Sequence, residues 1–247
     1  MLELAPYGFA LARVSGLIAG LPMLTSEVAP FQVRGVAAIV LTLSIGGTLP
    51  AASFATVEPS LLVLEFLLGL AMGLTVRVLA ATVSIAGEVI GMQMGIGFQQ
   101  LVDPMTQQMK GALSSIFDSV FAVLLFVTGA YRELFRALRA SYSIHPMGEV
   151  TGIGEIARAL ADLAASSFAH GLRIGLPLVA VACASQLTFG LLTRVAPQLN
   201  VWSLGFLVTI GAGIFAISFF APVVVRELAW LLSESIDSSL AIIEGGR

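Results

Sequence analysis

Two histidines, one cysteine and 15 acidic residues are the groups in this 247-residue chain that could do chemistry. Their spacing decides whether they do. Neither His145 nor His170 has a second ligand at metal spacing, so they read as a loop residue and a helix residue of no special role. Cys183 stands alone in an apolar run, which removes any disulfide or thiolate framework. "GIGEIA" at Gly152–Ala157 fits GxGxxA in letters. It opens an amphipathic helix with no strand before it, whereas a dinucleotide fingerprint needs strand, turn and helix. Lys110-Gly111 reverses the order of a phosphate-binding loop. Asp103 and Asp118 are a candidate carboxylate pair, but no base, nucleophile or metal ligand accompanies them. No catalytic, cofactor or metal site is expected.

The elements that carry these residues belong to a membrane. The chain is 57% hydrophobic and only 11% charged, against about 25% charged for soluble domains. No charged residue falls between Arg34 and Glu58, Arg173 and Arg194, or Arg194 and Arg226. Each gap supplies the roughly 20 apolar residues needed to cross a hydrocarbon core. Apolar stretches cover about 4–24, 35–57, 59–76, 78–98, 112–131, 171–193 and 201–225. Backbone groups in lipid must bond internally, so these are helices. The expected fold is an all-α, polytopic integral membrane protein, one membrane domain over 1–247 with no internal boundary. The opening "MLELAPYG" places an acid where a signal peptide carries cations, so no cleaved leader is expected. A net charge of -3 argues against nucleic acid as a partner.

Five charges interrupt the apolar runs: Arg13, Glu65, Arg77, Glu88 and Asp118. Each costs about 2.5–3.5 kcal/mol at hydrocarbon depth, so such residues face protein or water. Glu65 and Arg77 lie about 120° apart around a helix, and Arg77 and Glu88 about 16 Å apart along it. Their partners must come from other helices, other subunits or water. Glycines spaced by four recur at Gly16/Gly20, Gly69/Gly73, Gly87/Gly91/Gly95 and Gly171/Gly175, a spacing that lets helix backbones approach closely. The triple Gly87, Gly91, Gly95 is the strongest of these.

Two segments have one polar face. In "YRELFRALRA", Arg132, Arg136 and Arg139 fall on one side and Leu134, Phe135 and Leu138 apart from them, the pattern of an interfacial helix. In 149–165, Ile153, Ile156, Leu160 and Leu163 form a seam beside a ladder of Glu155, Arg158 and Asp162. That helix is expected to extend beyond the bilayer against a neighbour.

The stretch "GMQMGIGFQQLVDPMTQQMKG", Gly91–Gly111, is polar and glycine-rich between two apolar runs and holds the only lysine. With "GEVI" before it, Gly87–Pro104 resembles the flagellar biosynthetic protein FliR family, whose signature runs G-E-ϕ-ϕ-G-ϕ-Q-M-G and ends in D-P, ϕ being apolar. Downstream, "LLTRVAPQLNVWSLGF" is similar to the family's L-x-R-ϕ-A-P-Q-ϕ-N-ϕ-F-x-ϕ-G-F. The early "RVSGLIAGLPML", the length and the apolar layout agree as well. In one place the chain departs. After Gly205-Phe206 the family often has Pro and then Lys two residues on, where Leu207 and Thr209 stand here, so no role of that lysine is carried over.

The resemblance implies a subunit of the type III export gate at the flagellar basal body, in the bacterial inner (cytoplasmic) membrane. Its implied partners are FliP-like and FliQ-like membrane subunits, FlhB-like and FlhA-like export components, membrane lipid, and the unfolded flagellar proteins that pass through. Helical hairpins packed into a hetero-oligomeric pore are the implied architecture, with a pore-facing loop at about 99–111. The implied plug is Phe98, Gln99, Gln100, Leu101, Val102, Asp103, Pro104 and Met105. The residues suit that role physically. Methionines are deformable apolar fillers, glutamines satisfy freed backbone groups, and Gly95 and Gly97 give the turn its freedom. Three other readings compete. One is the equivalent subunit of a virulence-type injectisome. Another is a scaffold subunit whose loop never enters a pore. The last is a small-solute transporter using Glu65, Glu88 and Asp118, although transporters usually carry internal repeats and none is visible.

Overall fold

The structure is a computed structural model that describes residues 5–22, 29–46, 58–94, 111–150, 152–195 and 201–245. Among these residues there are helices and short turns, and no strand. The helices are α1 (Ala5–Gly20), α2 (Phe31–Gly46), α3 (Pro59–Gln93), α4 (Ala112–Val127), α5 (Ala130–Ile144), α6 (Ile153–Val195) and α7 (Val201–Gly245). Three of them contain stretches long and apolar enough to cross a bilayer: Pro59–Gln93, Ile153–Leu192 and Leu207–Glu227. A fourth span exists if α4 and α5, broken at Thr128-Gly129, count as one. The chain is an all-α polytopic membrane protein.

Two joins differ from the apolar segments read along the sequence. The runs 59–76 and 78–98 share one 35-residue helix, α3. Arg77 does not break it, because its side chain is exposed while Val76 and Leu79 on either side are buried. No glycine or proline stands beside it to end the hydrogen-bond ladder. Likewise the amphipathic seam and the apolar run 171–193 form a single 43-residue helix, α6, with Pro177 inside it.

The chain divides into two compact units. The first comprises Met1–Ala80, Leu125–Ser166 and Leu231–Arg247, and the second Ala81–Leu124 and Ser167–Trp230. In the first, α1 buries Phe9, Val14 and Leu17 completely and lies backbone to backbone on α3. A Cβ added at Gly69 would fall 1.8 Å from the Arg13 carbonyl oxygen, and one at Gly16 would fall 2.1 Å from that of Phe66. Gly20 and Gly73 also face each other, a Cβ on Gly20 falling 2.7 Å from the Gly73 Cα and one on Gly73 falling 2.8 Å from the Gly20 Cα. Only glycine permits this approach, which supplies the van der Waals contact that holds membrane helices together. The seam of α6 also packs here, with Ile156 buried beside Leu68, Ala71 and Val150, and Ile153 and Leu160 against them. Glu155, Arg158 and Asp162 are exposed.

In the second unit the C-terminal part of α3 runs antiparallel to the start of α4. A Cβ at Gly87 would come within 2.8 Å of the Ser114 Cα. Ile174, Leu178 and Ala182 form the buried stripe of α6, four residues apart, and a Cβ at Gly171 would meet the Thr82 methyl at 2.6 Å.

Candidate functional site

Arg13 and Glu65 are both completely buried in the first unit, and Arg13 Nε donates to Glu65 Oε2 at 2.6 Å. The rest of the guanidinium is also used. Nη1 donates to Ser141 Oγ at 2.9 Å, and Nη2 to the His145 carbonyl oxygen at 3.0 Å. Its face lies 4.2 Å from the centre of the Tyr142 ring. The second carboxylate oxygen of Glu65 accepts the Gly148 N–H at 2.8 Å. Gly148 presents that N–H from a turn in which its own φ is +79°, a conformation that favours glycine. One ion pair thus ties α1, α3, α5 and the turn before α6. A carboxylate engaged at both oxygens and sealed from water clamps the elements around it.

The remaining interrupting charges are handled differently. Arg77 is exposed on α3. In the second unit the Ser84 hydroxyl hydrogen-bonds Asp118 Oδ1, and the Ser114 hydroxyl donates to the Ser84 carbonyl at 2.9 Å. Glu88 Oε2 accepts the N–H of Gly111 at 3.0 Å. Gly111 directly precedes α4, so this acid sits where a helix leaves donors unbonded and its dipole is positive. Among the described residues, its partner is this helix start.

These contacts brace the two stems that flank residues 95–110. At the end of α3, Gln186 Nε2 donates to the Gln93 carbonyl at 2.8 Å, and Gln93 Nε2 lies 2.9 Å from Cys183 Sγ. Met94 is buried, its terminal atoms where a Cβ on Gly213 would lie. Of the three glycines singled out in this region, Gly87 makes the tight contact. Gly91 has only Leu113 Cβ near its missing side chain, at an ordinary 3.5 Å, and Gly95 lies outside the described residues. Phe98, Gln99, Gln100, Leu101, Val102, Asp103, Pro104 and Met105 also lie outside them. Among the described residues no group of three or more His, Cys, Asp or Glu side chains could hold a metal.

Residues 4–235 match the family model described as bacterial export proteins, family 1. The chain belongs to that family. Among its relatives, the flagellar biosynthetic protein FliR of Escherichia coli (strain K12) is 33% identical over 241 residues, 96% of this chain and 92% of that one. The FliR protein of Pectobacterium carotovorum is 29% identical over 229 residues, 91% of this chain and 87% of its own. That of Bacillus subtilis (strain 168) is 25% identical over 185 residues, 72% and 71% of the two chains.

For this member of the bacterial export proteins, sequence reasoning missed several partners. Ser141 and the His145 carbonyl complete the Arg13 site, although His145 reads as an idle loop residue in the sequence. Its backbone carbonyl is in use, which residue type does not signal. Gln186 was not singled out either, although it is the one amide side chain in 174–193. The α5 segment departs from an interfacial helix in one respect. Its apolar side, with Leu134, Leu138 and Tyr142 buried, packs inside the protein and is not left for lipid.

Proposed function

We propose that this chain is a subunit of the flagellar type III protein export gate, acting in the bacterial inner (cytoplasmic) membrane at the flagellar basal body. It works with FliP-like and FliQ-like subunits to form the pore, and with FlhB-like and FlhA-like components that deliver unfolded flagellar proteins. Segment 98–105 helps plug that pore at rest, and Gly87 packs the helix that leads into it. The chain carries no catalytic step; the proton gradient and partner proteins supply the energy.

The observation that carries the reading is the family match over residues 4–235. The bracing of both stems by Glu88, Gln186 and Cys183 adds to it. Irregular backbone at membrane depth survives only when buried in protein or lining a water-filled cavity. A polar, glutamine-rich segment held between two apolar helices therefore suits the inside of an assembly. The fixed Arg13–Glu65 pair also weakens the transporter alternative by withdrawing one of its three carboxylates.

The test is purification in mild detergent of a tagged copy expressed with its FliP-like and FliQ-like partners, alongside motility of cells lacking the gene. Recovery of one large complex and restored motility are expected. A well-behaved active monomer, or solute uptake by the chain reconstituted alone, overturns the proposal.

A further inference from the structure

Three of the chain's 12 cationic residues fall within eight positions of α5, while the whole chain carries a net charge of -3. Arg132, Arg136 and Arg139 are all exposed. They recur at i, i+4 and i+7, so they line one face over about 10 Å of helix. Among the described residues the acid paired with this stripe is Glu133, on Arg136, and both remain open to the surroundings, Arg136 at 74% and Glu133 at 40%. The opposite face of α5 is already occupied inside the protein by Leu134, Ala137, Leu138 and Tyr142. The stripe must therefore meet something outside the chain, and hydrocarbon is excluded by the cost of three exposed guanidinium groups.

A ladder of contacts indicates what lies there. Phe126 and Val127 end α4 with 60% and 77% exposure, apolar surface of a kind that only lipid tails or another apolar face accommodates. The Phe126 ring touches Tyr131, with centroids 5.6 Å apart, and the Arg132 guanidinium lies 5.7 Å from the Tyr131 ring centre. Arg132 Nε also donates to the Tyr131 hydroxyl at 3.1 Å. Exposed apolar, amphipathic aromatic and cationic groups thus follow one another within contact distance. That is the sequence of environments from acyl chain through interface to headgroup, where tyrosines collect in membrane proteins.

We infer that Arg132, Arg136 and Arg139 form a binding stripe for the phosphates of anionic phospholipid, placed at the bilayer surface by the Phe126–Tyr131–Arg132 ladder. Guanidinium groups bind phosphate oxygens through two parallel donors, and each cation at an anionic surface strengthens association about fivefold. This inference does not depend on the export-gate reading.

The full-length protein reconstituted in phosphatidylcholine nanodiscs tests it, with spin-labelled phosphatidylglycerol or spin-labelled phosphatidylcholine as the probe. The wild type is expected to immobilise the anionic probe several-fold more than the zwitterionic one, and 0.5 M salt should reduce the excess (about a 4 Å screening length). The triple variant Arg132→Gln/Arg136→Gln/Arg139→Gln should bring the ratio close to one. Single Gln variants should each lower it by up to about fivefold, which keeps the test open if the triple variant fails to fold. Replacing all three with Lys should retain the part of the excess that charge supplies and lose the part that paired donors add. Equal immobilisation of the two probes by wild type overturns the inference. So does an excess unchanged in the Gln variants, including the case in which those variants instead lose a co-purifying acidic protein.

Discussion

Arg13 and Glu65, 52 positions apart in the chain, meet at 2.6 Å where neither exposes any surface. Removing one partner of such a pair leaves an uncompensated buried charge, which costs about 3–5 kcal/mol. Arg13→Met or Glu65→Met should therefore sharply lower the thermal stability of the detergent-solubilised protein. Because the penalty belongs to the stranded charge, Arg13→Met/Glu65→Met together should destabilise less than the sum of the single changes. A double-mutant cycle on melting temperature measures this, and strict additivity would show that the pair is not coupled.

The glycines make a separate, sterically graded prediction. An alanine Cβ at Gly69 would overlap the Arg13 carbonyl oxygen at 1.8 Å, whereas at Gly91 the nearest atom is 3.5 Å away. Gly69→Ala should force α1 and α3 apart and reduce recovery of folded protein. Gly91→Ala should be tolerated, and Gly175→Ala, with nothing within 4 Å, should be silent. Yield by size-exclusion chromatography and motility of complemented cells rank the three.

That ranking shows where legibility in the sequence ends. Charge-free runs revealed the helices because the bilayer admits little else, and the seam of Ile153, Ile156, Leu160 and Leu163 found its place because periodicity marks a buried face. Spacing of four identified candidate close approaches but not their order, since only the neighbouring backbone decides which glycine is crowded. Thus Gly16, Gly20, Gly69 and Gly73 prove tighter than Gly91. Glu88 is expected from the sequence to find its partner on another helix, on another subunit or in water, with no residue named. Its partner is a backbone N–H at Gly111, and backbone donors are invisible to a search over residue types.

Glu88 offers a third test. Glu88→Leu removes the acceptor from the Gly111 N–H and should cost about 1–2 kcal/mol, as loss of a helix-start acceptor does. Glu88→Gln keeps an acceptor oxygen and should lose less than half of that. Gly111→Ala should weaken the same contact from the other side, because its Cβ would stand 2.9 Å from the carboxylate. Thermal melts of the purified protein separate the three, and equal loss in the Leu and Gln variants would mean that the charge, not the hydrogen bond, is what matters.

The last prediction concerns segment 99–108 as a closure element. A pore wide enough for an unfolded chain has to be sealed against ions at rest, and apolar constrictions do so by excluding water. Phe98, Leu101 and Val102 supply apolar surface, and Met105 a side chain that yields to many shapes. Such an element works only if its opening costs little, so it should contribute little to the stability of the assembly. Replacing Gln99–Gln108 with a Gly/Ser linker should thus leave the complex intact and as stable as wild type, yet raise resting ion conductance. Glu88 and Gln186 remain in place in that variant, so both stems stay braced and a leak reports on the segment itself. Conductance in planar bilayers, with sodium sensitivity of the cells as a second readout, makes the measurement. An assembled variant as tight as wild type would remove the segment from the seal and leave the chain a scaffold of the gate.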